Sequence, residues 1–126
     1  MAAIRTLIVD DSPVMRKIIE RCLRQAGMDL ASVFEAANGE EALAVVKGNK
    51  VDLILCDINM PVVNGLEFIK LLRTEPGFET VPVIMITSES GEKHVLEALA
   101  LGAKGYIRKP FTPDQVKMQI VPALRV

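Results

Sequence analysis

The chain has 126 residues, half of them hydrophobic, which suits one domain that buries a core without disulfides or a structural metal. Fifteen Lys and Arg against sixteen Asp and Glu leave a net charge of −1, so no overall basic field invites nucleic acid or an anionic membrane. The apolar runs stop well short of the ~18 residues that a membrane span needs, and Met1 to Arg5 is too short and mixed for a signal peptide, so a cytoplasmic protein is expected. Cys22 and Cys56 lie far apart with no His at ligand spacing, and read as two reduced thiols. His94, alone in a charged stretch, reads as a solvated helix residue.

Along the chain, short β-rich apolar runs alternate five times with amphipathic helical stretches. The first run, Leu7-Ile8-Val9, stops at Asp10-Asp11. Ser12-Pro13 then reads as N-cap and first helical residue, because the Ser oxygen can accept an orphan N–H and Pro has none to lose. Val14, Ile18, Ile19, Cys22, Leu23 and Ala26 recur at helical spacing, and Gly27 is the stop. Ser32 to Glu35 is a weaker second strand; Asn38-Gly39 makes a turn, and Glu40 to Lys47 a short helix with Ala42, Leu43 and Val46 inward. Leu53-Ile54-Leu55-Cys56 is continuously apolar, as a strand buried on both faces should be, and ends at Asp57. Helix three carries Leu66, Phe68, Ile69, Leu71 and Leu72. Pro82 to Ile86 repeats the buried-strand signature and ends at Thr87-Ser88-Glu89. Helix four spans roughly Glu92 to Leu101, closed by Gly102. Strand five, Gly105 to Arg108, runs into Lys109-Pro110-Phe111, and Thr112-Pro113 opens the last helix. Pro122 predicts an end or a kink near Val121, since an interior Pro removes a backbone bond and costs ~3 kcal/mol.

Strands alternating with helices form a doubly wound parallel sheet, an α/β domain over residues 1–126, and such sheets bind ligands at the carboxyl ends of their strands. The polar residues that interrupt the apolar pattern stand at those ends: Asp10 and Asp11 after strand one, Asp57 after three, Thr87 after four and Lys109 after five. Taken singly, each has a plain structural reading as a capping acid, a turn Asp, a strand-end hydroxyl or a surface lysine. Four strand-end loops meeting at one place give them a shared one.

Carboxylates brought together repel one another by roughly 1 kcal/mol per pair at ~4 Å in water, and by several times that where water is excluded. A hard divalent cation answers that repulsion, since Mg²⁺ prefers oxygen ligands and commonly takes one or two carboxylates plus a phosphate oxygen. With Lys109 as a fixed positive charge and Thr87 as a hydroxyl donor, the set can hold phosphoryl oxygens while a carboxylate attacks phosphorus in line.

Asp10-Asp11, Asp57-Ile58-Asn59-Met60-Pro61 with Gly65 behind it, Thr87-Ser88, Gly102-Ala103, Tyr106 and Lys109-Pro110-Phe111 resemble the CheY-like receiver domains of response regulators over nearly the whole chain. The resemblance implies a flavodoxin-like (βα)5 fold with strand order 2-1-3-4-5. It further implies that Asp57 accepts a phosphoryl group from a phosphohistidine on a sensor histidine kinase, and that Asp11, Asp57 and the Asn59 carbonyl ligate Mg²⁺, with Asp10 acting through a metal-bound water. Lys109 would pair with phosphoryl oxygens, and the Lys109-Pro110 peptide would be cis. Thr87 and Tyr106 resemble the switch pair, the hydroxyl moving to the phosphate and the ring turning inward behind it. Asn59 and Glu89 resemble the pair of the chemotaxis branch, which implies self-dephosphorylation in seconds to minutes. A surface on helix four, strand five and helix five would signal to a downstream target protein, from a domain that is monomeric until phosphorylated and has no direct business with nucleic acid or membrane.

A haloacid dehalogenase-like phosphatase also uses an Asp nucleophile with Mg²⁺, but wants Asp-x-Asp at strand one, which Asp10-Asp11-Ser12 does not supply. A flavin carrier of the same fold lacks its phosphate loop here, and no G-x-x-x-x-G-K is present to bind ATP. The remaining choice is between a stand-alone signalling protein, favoured because no linker precedes Val126, and the receiver portion of a longer regulator with a DNA-binding or enzymatic output domain.

Overall fold

In a computed structural model, which describes residues 3–58, 63–88 and 92–124, the alternating pattern becomes five parallel strands and five helices. The order is β1 (Ile4–Val9), α1 (Pro13–Gln25), β2 (Leu30–Ala36), α2 (Gly39–Gly48), β3 (Leu53–Asp57), α3 (Gly65–Leu72), β4 (Val83–Thr87), α4 (Glu92–Ala100), β5 (Gly105–Arg108) and α5 (Pro113–Leu124). The sheet runs β2-β1-β3-β4-β5, the expected order. Every residue of β3 and β4 is buried, whereas the edge strand β5 alternates buried and exposed. A continuous apolar run therefore marks a central strand, and a broken one an edge.

Successive residues of a strand face opposite sides, and each side has its own core. Leu7, Val9, Ile54, Cys56, Val83 and Met85 pack with Ala42, Val46, Phe68, Ile69 and Ala98 from α2, α3 and α4. Ile8, Leu53, Leu55, Ile84 and Ile86 pack with Ile19, Leu23, Val116 and Ile120 from α1 and α5. Among the described residues no helix is long and apolar enough to cross a membrane.

The helix starts follow from their caps. Ser12 Oγ accepts the Met15 N–H at 3.2 Å, with Pro13 as the first helical residue. Thr112 Oγ1 accepts from Gln115 N at 3.2 Å while Gln115 Oε1 accepts from Thr112 N at 2.9 Å, a reciprocal capping box. Asn38, read in sequence as part of a turn, is the N-cap of α2, and Asn64 caps α3; each Oδ1 accepts the N–H three residues on, at 2.8 and 3.0 Å. Gly27 follows α1 with φ +88° and Gly102 follows α4 with φ +100°, the left-handed turn that stops a helix.

Three expectations are corrected. Helix α5 continues through Pro122 to Leu124 instead of ending near Val121. Pro122 lies in the last turn, and the one carbonyl it deprives, that of Met118, is on an exposed residue. His94 is half-buried rather than solvated, and its Nδ1 has no hydrogen-bond partner among the described residues. On α1, Ile19, Cys22 and Leu23 are buried as their spacing predicts, but Val14 and Ile18 face outward.

Candidate functional site

Parallel pairing sets the strand ends side by side. Val9 of β1 is level with Cys56 of β3, Asp57 with Ile86 of β4, and Thr87 with Arg108 of β5. The next residue of each run, where the apolar pattern breaks, thus meets its counterparts at one rim. The Asp10 N–H donates to Ala36 O at 3.0 Å and the Lys109 N–H to Thr87 O at 2.8 Å, so both loops leave the sheet still hydrogen-bonded to it. The Lys109-Pro110 peptide is cis, as the sequence resemblance implies.

Asp10, Asp11 and Asp57 offer carboxylate oxygens within 4.8 Å of one another. Asp10 is 1% exposed and Asp57 7%, while Asp11 is open to solvent. Lys109 Nζ lies 3.1 Å from Asp10 Oδ2 and 3.4 Å from Asp57 Oδ2. Burial alone would lower the Lys109 pKa, but the charge of Asp57 and the hydrogen bond and charge of Asp10 outweigh it, and the net shift is upward; the group is a firm cation. The cluster's three carboxylates outnumber the Lys109 ammonium that pairs with them among the described residues, an excess of negative charge that a divalent ion would answer.

The donor set suits a hard cation. All three groups are carboxylates, and the exposed side at Asp11 leaves room for the waters that Mg²⁺ retains. The soft atom next door is not a competitor. Burial first, then Asp57 and Asp10, push the Cys56 thiol well above its ordinary pKa, and its S–H donates to the Asp57 carbonyl at 3.3 Å.

Behind Asp57, the N-terminus of α3 presses on the end of β3. A Cβ at Gly65 would overlap the Asp57 carbonyl oxygen and stand 2.9 Å from Ile58 Cα, and the Gly65 N–H donates to Ile58 O at 2.9 Å. Thr87 is wholly buried at the end of β4. Tyr106 is 38% exposed on β5, lining with Arg108, Pro110, Gln115 and Met118 a groove of about 620 Å³ between β5 and α5. The structure thus brings Asp10, Asp11, Asp57 and Lys109 together, with Thr87 at the same rim and Tyr106 on the outer face. Asn59 and Glu89 lie outside the described residues.

Sequence reasoning gave Arg16 and Glu35 no role. Arg16 Nη1 donates to the Asp10 carbonyl at 2.6 Å while its Nε donates to Glu35 Oε1 at 2.9 Å. The available signal was an arginine one turn into the helix that follows the acidic strand end.

The response regulator receiver domain family model matches residues 6–121. A chemotaxis protein CheY homolog of Campylobacter jejuni is 42% identical over 121 residues, which cover 95% of this chain and 92% of that one. Chemotaxis protein CheY1 of Helicobacter pylori is 40% identical over 117 residues, 92% of this chain and 93% of its own. Among solved structures, the chemotaxis response regulator CheY4 of Vibrio cholerae superposes with a TM-score of 0.85 at 35% identity, covering 98% of this chain and all of that one.

Proposed function

The chain belongs to the response regulator receiver domain family, in its chemotaxis-type branch, and from that premise we propose that Asp57 is the phosphoacceptor of a switch over residues 1–126. Receivers of this kind are signalling switches rather than turnover enzymes. The observation that carries the residue assignment is Lys109 Nζ, placed between Asp10 and Asp57 at the mouth of the three-carboxylate cluster.

In the proposed reaction a carboxylate oxygen of Asp57 attacks the phosphorus of a phosphohistidine on a sensor histidine kinase. The new O–P bond forms as the P–N bond breaks, its electron pair leaving on the imidazole nitrogen. Asp10, Asp11, Asp57 and the Asn59 carbonyl would hold Mg²⁺, which supplies charge neutralisation and fixes phosphoryl oxygens for in-line transfer. Lys109 would then exchange the Asp57 carboxylate for phosphoryl oxygens.

Phosphorylation replaces a charge of about −1 by roughly −2 and adds acceptor oxygens. Lys109 and the Thr87 hydroxyl can reach those oxygens in one arrangement of their loops, so the covalent group shifts a pre-existing equilibrium. Tyr106, half exposed beside the β5–α5 groove, is the ring that would turn inward and reshape that face for a downstream target protein. Asn59 and Glu89 would set a short acyl-phosphate lifetime.

The test is to supply a small acyl-phosphate donor with and without Mg²⁺ and follow the intact mass. One phosphoryl group should be gained only with Mg²⁺, and none by Asp57→Asn. Labelling of Asp57→Asn at the wild-type level sinks the assignment.

A further inference from the structure

Asp10 is held at every polar atom. Its N–H donates to Ala36 O at 3.0 Å, its Oδ1 accepts from Ser12 N at 2.9 Å, its Oδ2 accepts from Lys109 Nζ at 3.1 Å, and its carbonyl accepts from Arg16 Nη1 at 2.6 Å. The first three contacts belong to the sheet, the loop turn and the charged site. The fourth comes from a helix side chain that is only 15% exposed and is itself gripped by Glu35 on β2, through Nε at 2.9 Å.

We propose that Arg16 is a positioning residue for the metal site: its guanidinium, locked by Glu35, holds the Asp10 carbonyl and so the peptide plane from which Asp11 projects into the acidic cluster. The inference rests on reading that cluster as a Mg²⁺ site. The Asp10 carbonyl and the Asp11 N–H share one rigid peptide unit, so fixing the oxygen fixes the direction in which the chain enters Asp11. Asp11 is the exposed member of the cluster, and its backbone is what places its carboxylate. A planar guanidinium can serve the carbonyl and Glu35 at once through different nitrogens of one rigid fork, which a lysine ammonium cannot do in the same geometry. Groups behind metal ligands typically change affinity by 10–100-fold when removed.

Charge makes the opposite prediction to position. Arg16 is a cation near an acidic cluster, so if it acted only through its field, deleting it would tighten Mg²⁺ binding. If it served folding alone, deletion would lower stability and leave the affinity of the folded protein unchanged. Lys17 separates these readings, because it also donates to Glu35, at 3.1 Å, from the same helix, with no contact to Asp10 among those of the described residues.

The experiment is calorimetric titration of Mg²⁺ into wild-type, Arg16→Met, Arg16→Lys and Lys17→Met protein, with amide hydrogen exchange at Ser12 measured without metal. Arg16→Met should weaken Mg²⁺ binding by about ten-fold or more and speed exchange of the Ser12 amide. Arg16→Lys should fall between it and wild type, and Lys17→Met should bind as wild type or slightly tighter. Unchanged or tighter binding by Arg16→Met, or equal weakening in Lys17→Met, overturns the proposal. Should Arg16→Met not fold, Glu35→Gln loosens the same guanidinium and should weaken binding in the same direction; wild-type affinity there overturns it equally. Failure of wild-type protein to take up Mg²⁺ sinks the metal reading instead, and Ser12 exchange in the metal-free variants still decides whether Arg16 holds the Asp10 turn.

Discussion

The Lys109 ammonium lies 3.4 Å from the Asp57 carboxylate, so the group proposed to receive the phosphoryl is already held by the group proposed to bind it. In the metal-free protein this contact also relieves repulsion among three crowded acids. Lys109→Met should therefore destabilise metal-free protein by about 3 kcal/mol, since it strips the cation from two buried carboxylates. Mg²⁺ should restore most of that loss by neutralising the same charges. Urea unfolding with and without Mg²⁺ checks both halves, and a Mg²⁺-insensitive deficit would contradict the electrostatic account.

Two ion pairs outside the carboxylate cluster make stability sensitive to acid. The Arg5 side chain hydrogen-bonds the Asp52 carboxylate and, against some opposing burial, holds it below its ordinary value of 3.8; Lys17 and then Arg16 do the same for Glu35, from 4.5. A carboxyl group depressed in the folded state contributes stability that is present above its unfolded value and lost as pH falls through the folded one. Metal-free protein should thus lose stability on acidification below 3.8 for Asp52 and below 4.5 for Glu35, and Asp52→Asn should flatten the lower part of that slope. Denaturant midpoints across the acid range provide the measurement. An unchanged slope in Asp52→Asn would mean that the Arg5 pair persists in the unfolded chain.

The rim of polar residues was legible in sequence for one physical reason, whereas the strand order came from the family resemblance. A strand buried on both faces reads as a continuous apolar run, so Asp57 after Leu53 to Cys56 and Thr87 after Val83 to Ile86 mark where that run gives way to polar groups, which are themselves buried. What escaped was of two kinds. Asn38 reads as a turn residue before Gly39 because the same side chain serves turns and caps, and only the backbone decides which. Arg16 escaped because its acceptor is a backbone carbonyl, a group that every residue carries and no pattern marks. Pro122 misled because the bond it removes falls on a single carbonyl, that of the exposed Met118, and the helix runs on to Leu124 without it.

Thr6 lies wholly buried on β1, level with Leu53 of β3, and its Oγ1 finds no hydrogen-bond partner among the described residues. A buried hydroxyl without a partner keeps its desolvation cost, about 1–3 kcal/mol, with no compensating bond. Valine has nearly the same shape and no polar atom. Thr6→Val should leave phosphorylation unchanged and raise stability by about 1 kcal/mol, read as a higher urea midpoint at constant slope. A loss of stability would reveal a polar role for the hydroxyl in the folded state.

Gly65 should be intolerant of even a methyl group. It opens α3 directly against the end of β3, and an added Cβ would overlap the Asp57 carbonyl oxygen and crowd Ile58 Cα at 2.9 Å, both of them backbone atoms that cannot rotate aside. Relief requires α3 to back away from the strand, which breaks the 2.9 Å bond from Gly65 N–H to Ile58 O, or Asp57 to shift with its carboxylate. Overpacking of this kind costs about 1–3 kcal/mol. Gly65→Ala should accordingly lose stability in that range and, in whatever fraction remains folded, take phosphoryl groups from a small donor more slowly than wild type. Comparing rates per folded molecule, with circular dichroism to count the folded fraction, separates the two effects. A full wild-type rate per folded molecule would show that α3 can yield without disturbing Asp57.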